Sequence, residues 1–200
     1  MLSEQGAFLE RAFKVLNKVY FGNGLPEAVI TIQSARKCYG YITVRKVWKG
    51  GGGCYHEINI TAEYLDRPVE NVICTLLHEM CHLYAMENGI RETSNGGRYH
   101  NKEFRRIAEE RGLSIGYAKY IGWSVTGSTE GLLKVIKENG LDSPIGYVRT
   151  GEGQGESTPP AGKKGSTRKY QCPGCGNSVR ATKDVNILCM DCGLRMEKQC

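Results

Sequence analysis

The sequence predicts an α+β domain with a small cysteine-rich module behind it. Three observations carry that prediction. A long amphipathic helix is written into residues 69–88, three β-prone runs precede it, and two Cys-x-x-Cys knuckles close the chain.

Taken in order, Leu9, Ala12, Phe13, Leu16, Val19 and Tyr20 form one apolar stripe at helical spacing, and Gly22-Asn23-Gly24 ends it. Val29 to Gln33 reads as a strand, because Val, Ile and Thr dominate it. Tyr39 to Trp48 reads as a second strand and Tyr55 to Ile60 as a third, with Gly50 to Gly53 as the hairpin between them. Asp66 and Pro68 then signal a helix start and Gly89 a stop. Between them Val69, Val72, Ile73, Leu76, Leu77, Met80, Leu83 and Tyr84 build a broad apolar face. Asn71, Thr75, His78 and His82 line the opposite side. A further helix is expected from Asn101 to Arg111, with Phe104 and Ile107 on its apolar side. Tyr117 to Trp123 is aromatic and fits neither period. Thr129 to Asn139 reads as a last helix burying Leu132, Leu133 and Ile136. Gly, Ser, Thr, Pro and Glu then dominate, with Pro159-Pro160 as a breaker. The expected domains are residues 1–150, a flexible basic linker at 151–169, and a module at 170–200.

Inside the central helix stands His78-Glu79-Met80-Cys81-His82. Histidines four apart lie one turn apart on one helix face, so both imidazoles can reach one metal ion. The glutamate beside the first histidine sits near that metal without ligating it, where it can take a proton from a water. The pattern is that of a zinc peptidase. The remaining reading, two polar surface histidines on an amphipathic helix, leaves the glutamate and the facing unexplained.

A catalytic zinc site usually has three protein ligands. The chain has four histidines, and His100 is the best candidate for the third position. It follows the turn Thr93-Ser94-Asn95-Gly96-Gly97 and opens a helical run, so it can swing back onto the first helix. The rival ligands are Glu103 and Glu87. His56 shares a strand face with Ile58 and Ile60 and reads as a packed histidine beside the site.

Cys172-Pro-Gly-Cys175 and Cys189-Met-Asp-Cys192 are separated by 13 residues, and Gly176 and Gly193 follow them. That spacing is the signature of a four-cysteine structural zinc ribbon. Val179, Val185, Ile187 and Leu188 are expected to supply its short strands. So short a segment buries too little surface to fold alone, so zinc is expected to stabilise it. The cofactors expected are therefore two zinc ions, one catalytic and one structural.

Nine cysteines in a secreted chain would suggest disulfides. Once the ribbon takes four, Cys38, Cys54, Cys74, Cys81 and Cys200 remain, an odd number without regular spacing. Reduced thiols and a cytoplasmic location are the expectation. Cys81 falls on the helix side of Cys74 and Leu77 and reads as a small core residue. No apolar run reaches membrane-spanning length and no signal-peptide pattern opens the chain, so no membrane partner is expected. The formal charge of +6 is shared equally, +3 on residues 1–150 and +3 on 151–200. It permits nucleic-acid binding without demanding it. Lys163, Lys164, Arg168, Lys169, Arg180 and Lys183 concentrate positive charge around the ribbon. A second group, Arg98, Lys102, Arg105, Arg106 and Arg111, surrounds His100 and is partly offset by Glu103, Glu109 and Glu110.

The run Asn71 to His82, the stretch Tyr99-His100-Asn101-Lys102-Glu103-Phe104 and the C-terminal knuckles together resemble the SprT-like proteins, the family that includes eukaryotic Spartan. Phe21-Gly22-Asn23-Gly24-Leu25-Pro26 and Glu57-Ile58-Asn59-Ile60 fit as well. The resemblance covers roughly residues 9–150 and 170–198. It implies a zincin-like metalloprotease domain of N-terminal helix, three-stranded sheet, metal helix and ligand helix, followed by the zinc ribbon. It further implies that His78, His82 and His100 hold the catalytic zinc, that Glu79 is the general base, and that Cys172, Cys175, Cys189 and Cys192 hold the structural zinc. Where such proteins often carry glycine after the third histidine, this chain has Asn101.

The expected chemistry is zinc-assisted hydrolysis of a peptide bond, with Glu79 passing a proton from water to the leaving amine. Tyr99 and Tyr84 are both candidate oxyanion donors. The expected partners are a protein substrate and DNA, the single-stranded form among those to test, with the ribbon raising the local concentration of DNA-bound or DNA-crosslinked protein. Two alternatives stand beside this: an intracellular zinc peptidase that acts without DNA, and a non-catalytic DNA-binding zinc protein.

Overall fold

The structure is a computed structural model describing residues 2–150 and 168–199. The chain divides into two compact units, Met1–Gly151 and Glu152–Cys200. The expected linker falls outside the described residues except at Arg168 and Lys169, which instead begin the first strand of the second unit.

The first unit is α+β. Helix α1 (Leu2–Phe21) buries Leu9, Ala12, Phe13 and Leu16, while Val19 is exposed. Asn17, also buried, clamps the following loop: its amide donates to the Leu25 carbonyl and its oxygen accepts from the Leu25 N–H, both at 3.1 Å. Strand β1 (Ala28–Gln33) then runs parallel to the nine-residue β4 (Gly53–Thr61), while β2 (Gly40–Ile42) and β3 (Trp48–Gly50) pair antiparallel with β4 on its other side.

The single strand expected over Tyr39–Trp48 is thus two. The register gives the reason. Ile42 faces Ile58 and Trp48 faces Tyr55, so six steps along one chain match three along β4. The surplus must leave the ladder, and Val44 to Val47 form an exposed loop. Thr43 anchors its start, donating its N–H to the Glu57 carbonyl and accepting the Glu57 N–H on its hydroxyl. β-Propensity alone could not see this, because Val44 and Val47 are good strand formers on the surface.

Alternation along β4 puts His56, Ile58 and Ile60 on one face. Glu57, Asn59 and Thr61 point the other way and are also buried. Burying a carboxylate requires donors. Glu57 receives them from Thr31 at 2.9 Å, Gln33 at 3.3 Å, Tyr41 at 3.2 Å and the Trp48 indole at 2.7 Å. This one side chain therefore ties together the three strands that pair with β4.

Helix α2 (Val69–Glu87) crosses the sheet and is the centre of the core. Val72, Ile73, Leu76, Leu77, Met80 and Leu83 are fully enclosed, as is Cys81. It stops at Gly89, whose φ of +63° suits glycine. Beyond it lies a second sheet that the sequence pattern did not reveal. Its strands β5 (Thr93–Ser94), β6 (Tyr99–His100), β7 (Leu113–Ala118) and β8 (Gly122–Ser128) are ordered β5-β6-β8-β7. The aromatic run 117–123 is the end of β7, the hairpin turn at 119–121 and the start of β8. Helix α3 (Lys102–Glu109) leaves β6 directly. Its cap is Asn101, whose side chain accepts the Glu103 and Phe104 N–H groups at 2.8 and 3.2 Å. Asn101 has φ of −90°, so this position does not need glycine. Helix α4 (Glu130–Glu138), capped by Thr129, buries Leu132 and Ile136, whereas Leu133 faces solvent.

The second unit holds β9 (Arg168–Gln171), β10 (Ser178–Ala181) and β11 (Glu197–Gln199), ordered β10-β9-β11. Of the four aliphatics expected to build strands, Val179 lies in β10 and Leu188 in a single bridge to Arg195; Val185 and Ile187 lie in neither.

Glycine at 40 is a packing requirement. A Cβ there would stand 2.8 Å from Thr75 Cγ2 and 2.9 Å from the Asn59 carbonyl oxygen. Gly40→Ala is expected to push β2 off α2 and destabilise the first unit by about 1–3 kcal/mol, as overpacking does, seen as a lower urea midpoint. Asn101→Ala removes the α3 cap and is expected to cost about 0.5–2 kcal/mol in the same assay.

Candidate metal centre

α2 presents His78 and His82 one turn apart, and β6 delivers His100 opposite them. The three Nε2 atoms lie 3.1–3.3 Å from one another. Each Nδ1 has its own acceptor: the Thr126 hydroxyl at 2.8 Å for His78, the Glu92 carboxylate at 3.0 Å for His82, and the Ile121 carbonyl at 3.3 Å for His100. Donating from Nδ1 fixes the tautomer and aims each Nε2 lone pair at the common point. Zinc–nitrogen bonds of about 2.0–2.1 Å in a tetrahedron place ligand nitrogens about 3.3–3.4 Å apart. The observed triangle fits that ion. Burial pushes His78 well below the usual histidine range, and lowers His100 to about 4, with the field of the neighbouring histidines acting in the same direction. At neutral pH both are uncharged and free to ligate.

Phe104 forms the floor. Its ring centroid lies 4.5–4.6 Å from all three imidazoles, which stops them rotating away. The placement of His100 depends on a second glycine. At Gly122, opposite His100 in the sheet, a Cβ would come within 2.1 Å of the His100 carbonyl oxygen, and φ is +72°. Only glycine lets β8 approach β6 this closely.

Glu79 lies on α2 beside the histidines, with its carboxylate against β2. It is buried, and a Cβ at Gly40 would be 3.5 Å from its Oε1. Burial raises its pKa to about 7, against the pull of His82 and a hydrogen bond from the Ile42 backbone. Glu92 is opposite in sense. Burial pushes it up, but the His82 hydrogen bond and backbone donors prevail and hold it below the usual carboxylate range.

Neither rival ligand joins the trio. Glu103 pairs with Arg106 at 3.1 Å, and Glu87 lies 3.9 Å from His56 Nε2. His56 is packed, with Nδ1 2.7 Å from the Thr43 carbonyl. Tyr84 packs against Phe21 with the Arg111 guanidinium 3.8 Å over its ring, and the Tyr99 hydroxyl lies 3.4 Å from that of Tyr117. Reading the sequence did not single out Glu92, Thr126 or the supporting role of Phe104. The sequence places Phe104 only on the apolar side of its helix.

In the second unit Cys172, Cys175, Cys189 and Cys192 place their sulfurs within 4.8 Å of one another. The Gly174 N–H points at Cys172 Sγ at 3.4 Å. Amides of Cys175 and Gly174 lower the Cys172 thiol to about 7, while interaction with Cys175 leads the rise of Cys192 to about 12. Four thiols competing for protons in this way suit a dication, which lets all of them ionise. All eight described cysteines are thiols. No helix among the described residues is long and apolar enough to cross a membrane.

Fold and site define an α+β protein with a three-histidine and a four-cysteine candidate metal site. The SprT-like family model matches residues 9–119, more than half of the chain, and the chain belongs to that family. The match brings with it a metalloprotease-like domain. No curated protein and no solved structure gives a significant match.

Glu92→Gln keeps the shape but weakens the acceptor on His82. It is expected to lower zinc affinity by about 10–100-fold, measured by competition with a chromogenic chelator.

Proposed function

We propose that the chain is a zinc metalloendopeptidase with a zincin-like catalytic unit, directed to DNA-bound or DNA-crosslinked proteins. The observation that carries the reading is the convergence of three Nε2 lone pairs beside a buried carboxylate on the same helix. His78, His82 and His100 would hold one zinc, and Cys172, Cys175, Cys189 and Cys192 a second, structural one.

When bound, the histidine zinc supplies Lewis acidity, polarising a scissile carbonyl and acidifying a water. Glu79 does the proton work. A carboxylate whose pKa is drawn toward neutrality both accepts a proton and returns it, here to the leaving amine. The Ile42 backbone and the close approach at Gly40 hold that carboxylate in place. β2 lies at one end of the strand order β1-β4-β2, so an extended peptide can add to its outer edge and pass Glu79. The exposed Lys169, Arg180 and Lys183 support DNA binding by the ribbon. The cell interior is the compartment in which such thiols stay reduced.

Glu79→Gln is expected to lower proteolysis of a DNA-binding protein by at least about 10²–10⁴-fold while zinc content, read by atomic absorption, is unchanged. Wild-type cleavage is expected to require added single-stranded DNA. Equal cleavage without DNA would make this a general peptidase, and equal cleavage by the Gln variant would remove Glu79 from the chemistry.

A further inference from the structure

Beside the histidine cluster lies a cleft of about 420 Å³ lined by Tyr99, Asn101, Lys102, Tyr117 and Trp123. Two of these residues flank His100 in the chain. Tyr117 and Trp123 meet edge to face at 5.3 Å, and the Arg105 guanidinium lies 4.3 Å over the indole. At the turn of the same hairpin Tyr120 is 82% exposed and Tyr117 is 53% exposed. Trp123 is partly buried against the core and backs Tyr117; nothing in the proposed hydrolysis uses these rings, and two open tyrosines on one hairpin call for a partner.

We propose that this cleft and the hairpin turn next to it bind single-stranded DNA by stacking bases on Tyr117 in the cleft and Tyr120 at the turn, with Trp123 backing Tyr117. The inference rests on the DNA-directed reading above and deepens it, placing a contact on the catalytic unit itself. Charge complementarity selects the occupant. Lys102 is in the cleft wall, Lys119 stands 5.7 Å over the Tyr120 ring, and neither makes an ion pair among the described residues. The nearby acids are engaged, Glu109 by Arg105 and Glu103 by Arg106. Exposed rings interleaved with uncompensated cations are what a single strand needs, one for bases and the other for phosphates. Duplex DNA hides its base faces from such rings. Tyr99 and Asn101 are the chain neighbours of His100, so a strand held here stays close along the chain to that candidate ligand.

The test uses the zinc-loaded full chain and a short fluorescein-labelled oligothymidylate, with affinity read by anisotropy. Tyr117→Ala and Tyr120→Ala are expected to weaken binding about tenfold each, with zinc content and urea midpoint unchanged. Photocrosslinking of an iodouracil-substituted strand is expected to label peptides containing residues 117–123. Wild-type affinity in both variants, or crosslinks confined to the ribbon, overturns the inference and leaves DNA-directed proteolysis standing. Tighter binding of oligouridylate overturns the choice of DNA. Lost cleavage of an unattached peptide with DNA affinity intact makes the cleft a protein subsite instead. A wild-type chain that binds no oligothymidylate overturns both this inference and the reading on which it rests.

Discussion

Three imidazole nitrogens aimed at one point constrain the rest of the first unit. With Nε2 atoms 3.1–3.3 Å apart, their lone pairs repel, and burial denies them water. Such an arrangement persists only if each ring is held from behind. The holding groups come from separate places: Glu92 before β5, Ile121 at the hairpin turn and Thr126 in β8. Phe104 closes the floor from α3. The second sheet is therefore the scaffold of the centre, and its glycine at 122 is what lets two of its strands close on His100.

The first sheet serves the carboxylate. β4 packs its even face on α2, and β2 lies so close to the helix that position 40 admits no side chain. That proximity removes solvent from Glu79 and lifts its pKa to about 7. The opposite face of the sheet is tied by Glu57, whose four neutral donors span β1, β2 and β3. Two buried carboxylates thus behave differently. Glu57 is surrounded by donors and organises strands. Glu79 has only a backbone donor and the field of a histidine, which leaves it available for chemistry.

The second unit follows another logic. Among its described residues Tyr170, Cys172 and Cys189 are the buried ones, while Val179, Val185 and Leu188 remain exposed. Its sulfur cluster occupies the place of a hydrophobic core.

The sequence by itself determined the elements whose signals are local. The spacing of His78, Glu79 and His82 on an amphipathic helix, the stop at Gly89 and the cysteine knuckles all sit within a few residues of one another, where helical period and turn chemistry speak directly. Only the tertiary structure decided the division of Tyr39–Trp48, which depends on how many residues β4 offers for pairing. It also decided the second sheet, whose strands β5 and β6 are two residues each and carry no readable alternation. The partners of the imidazoles were hidden for the same reason. Glu92 and Thr126 lie 10 and 48 residues from the histidines they support, and nothing in a one-dimensional pattern records a hydrogen bond made across a fold.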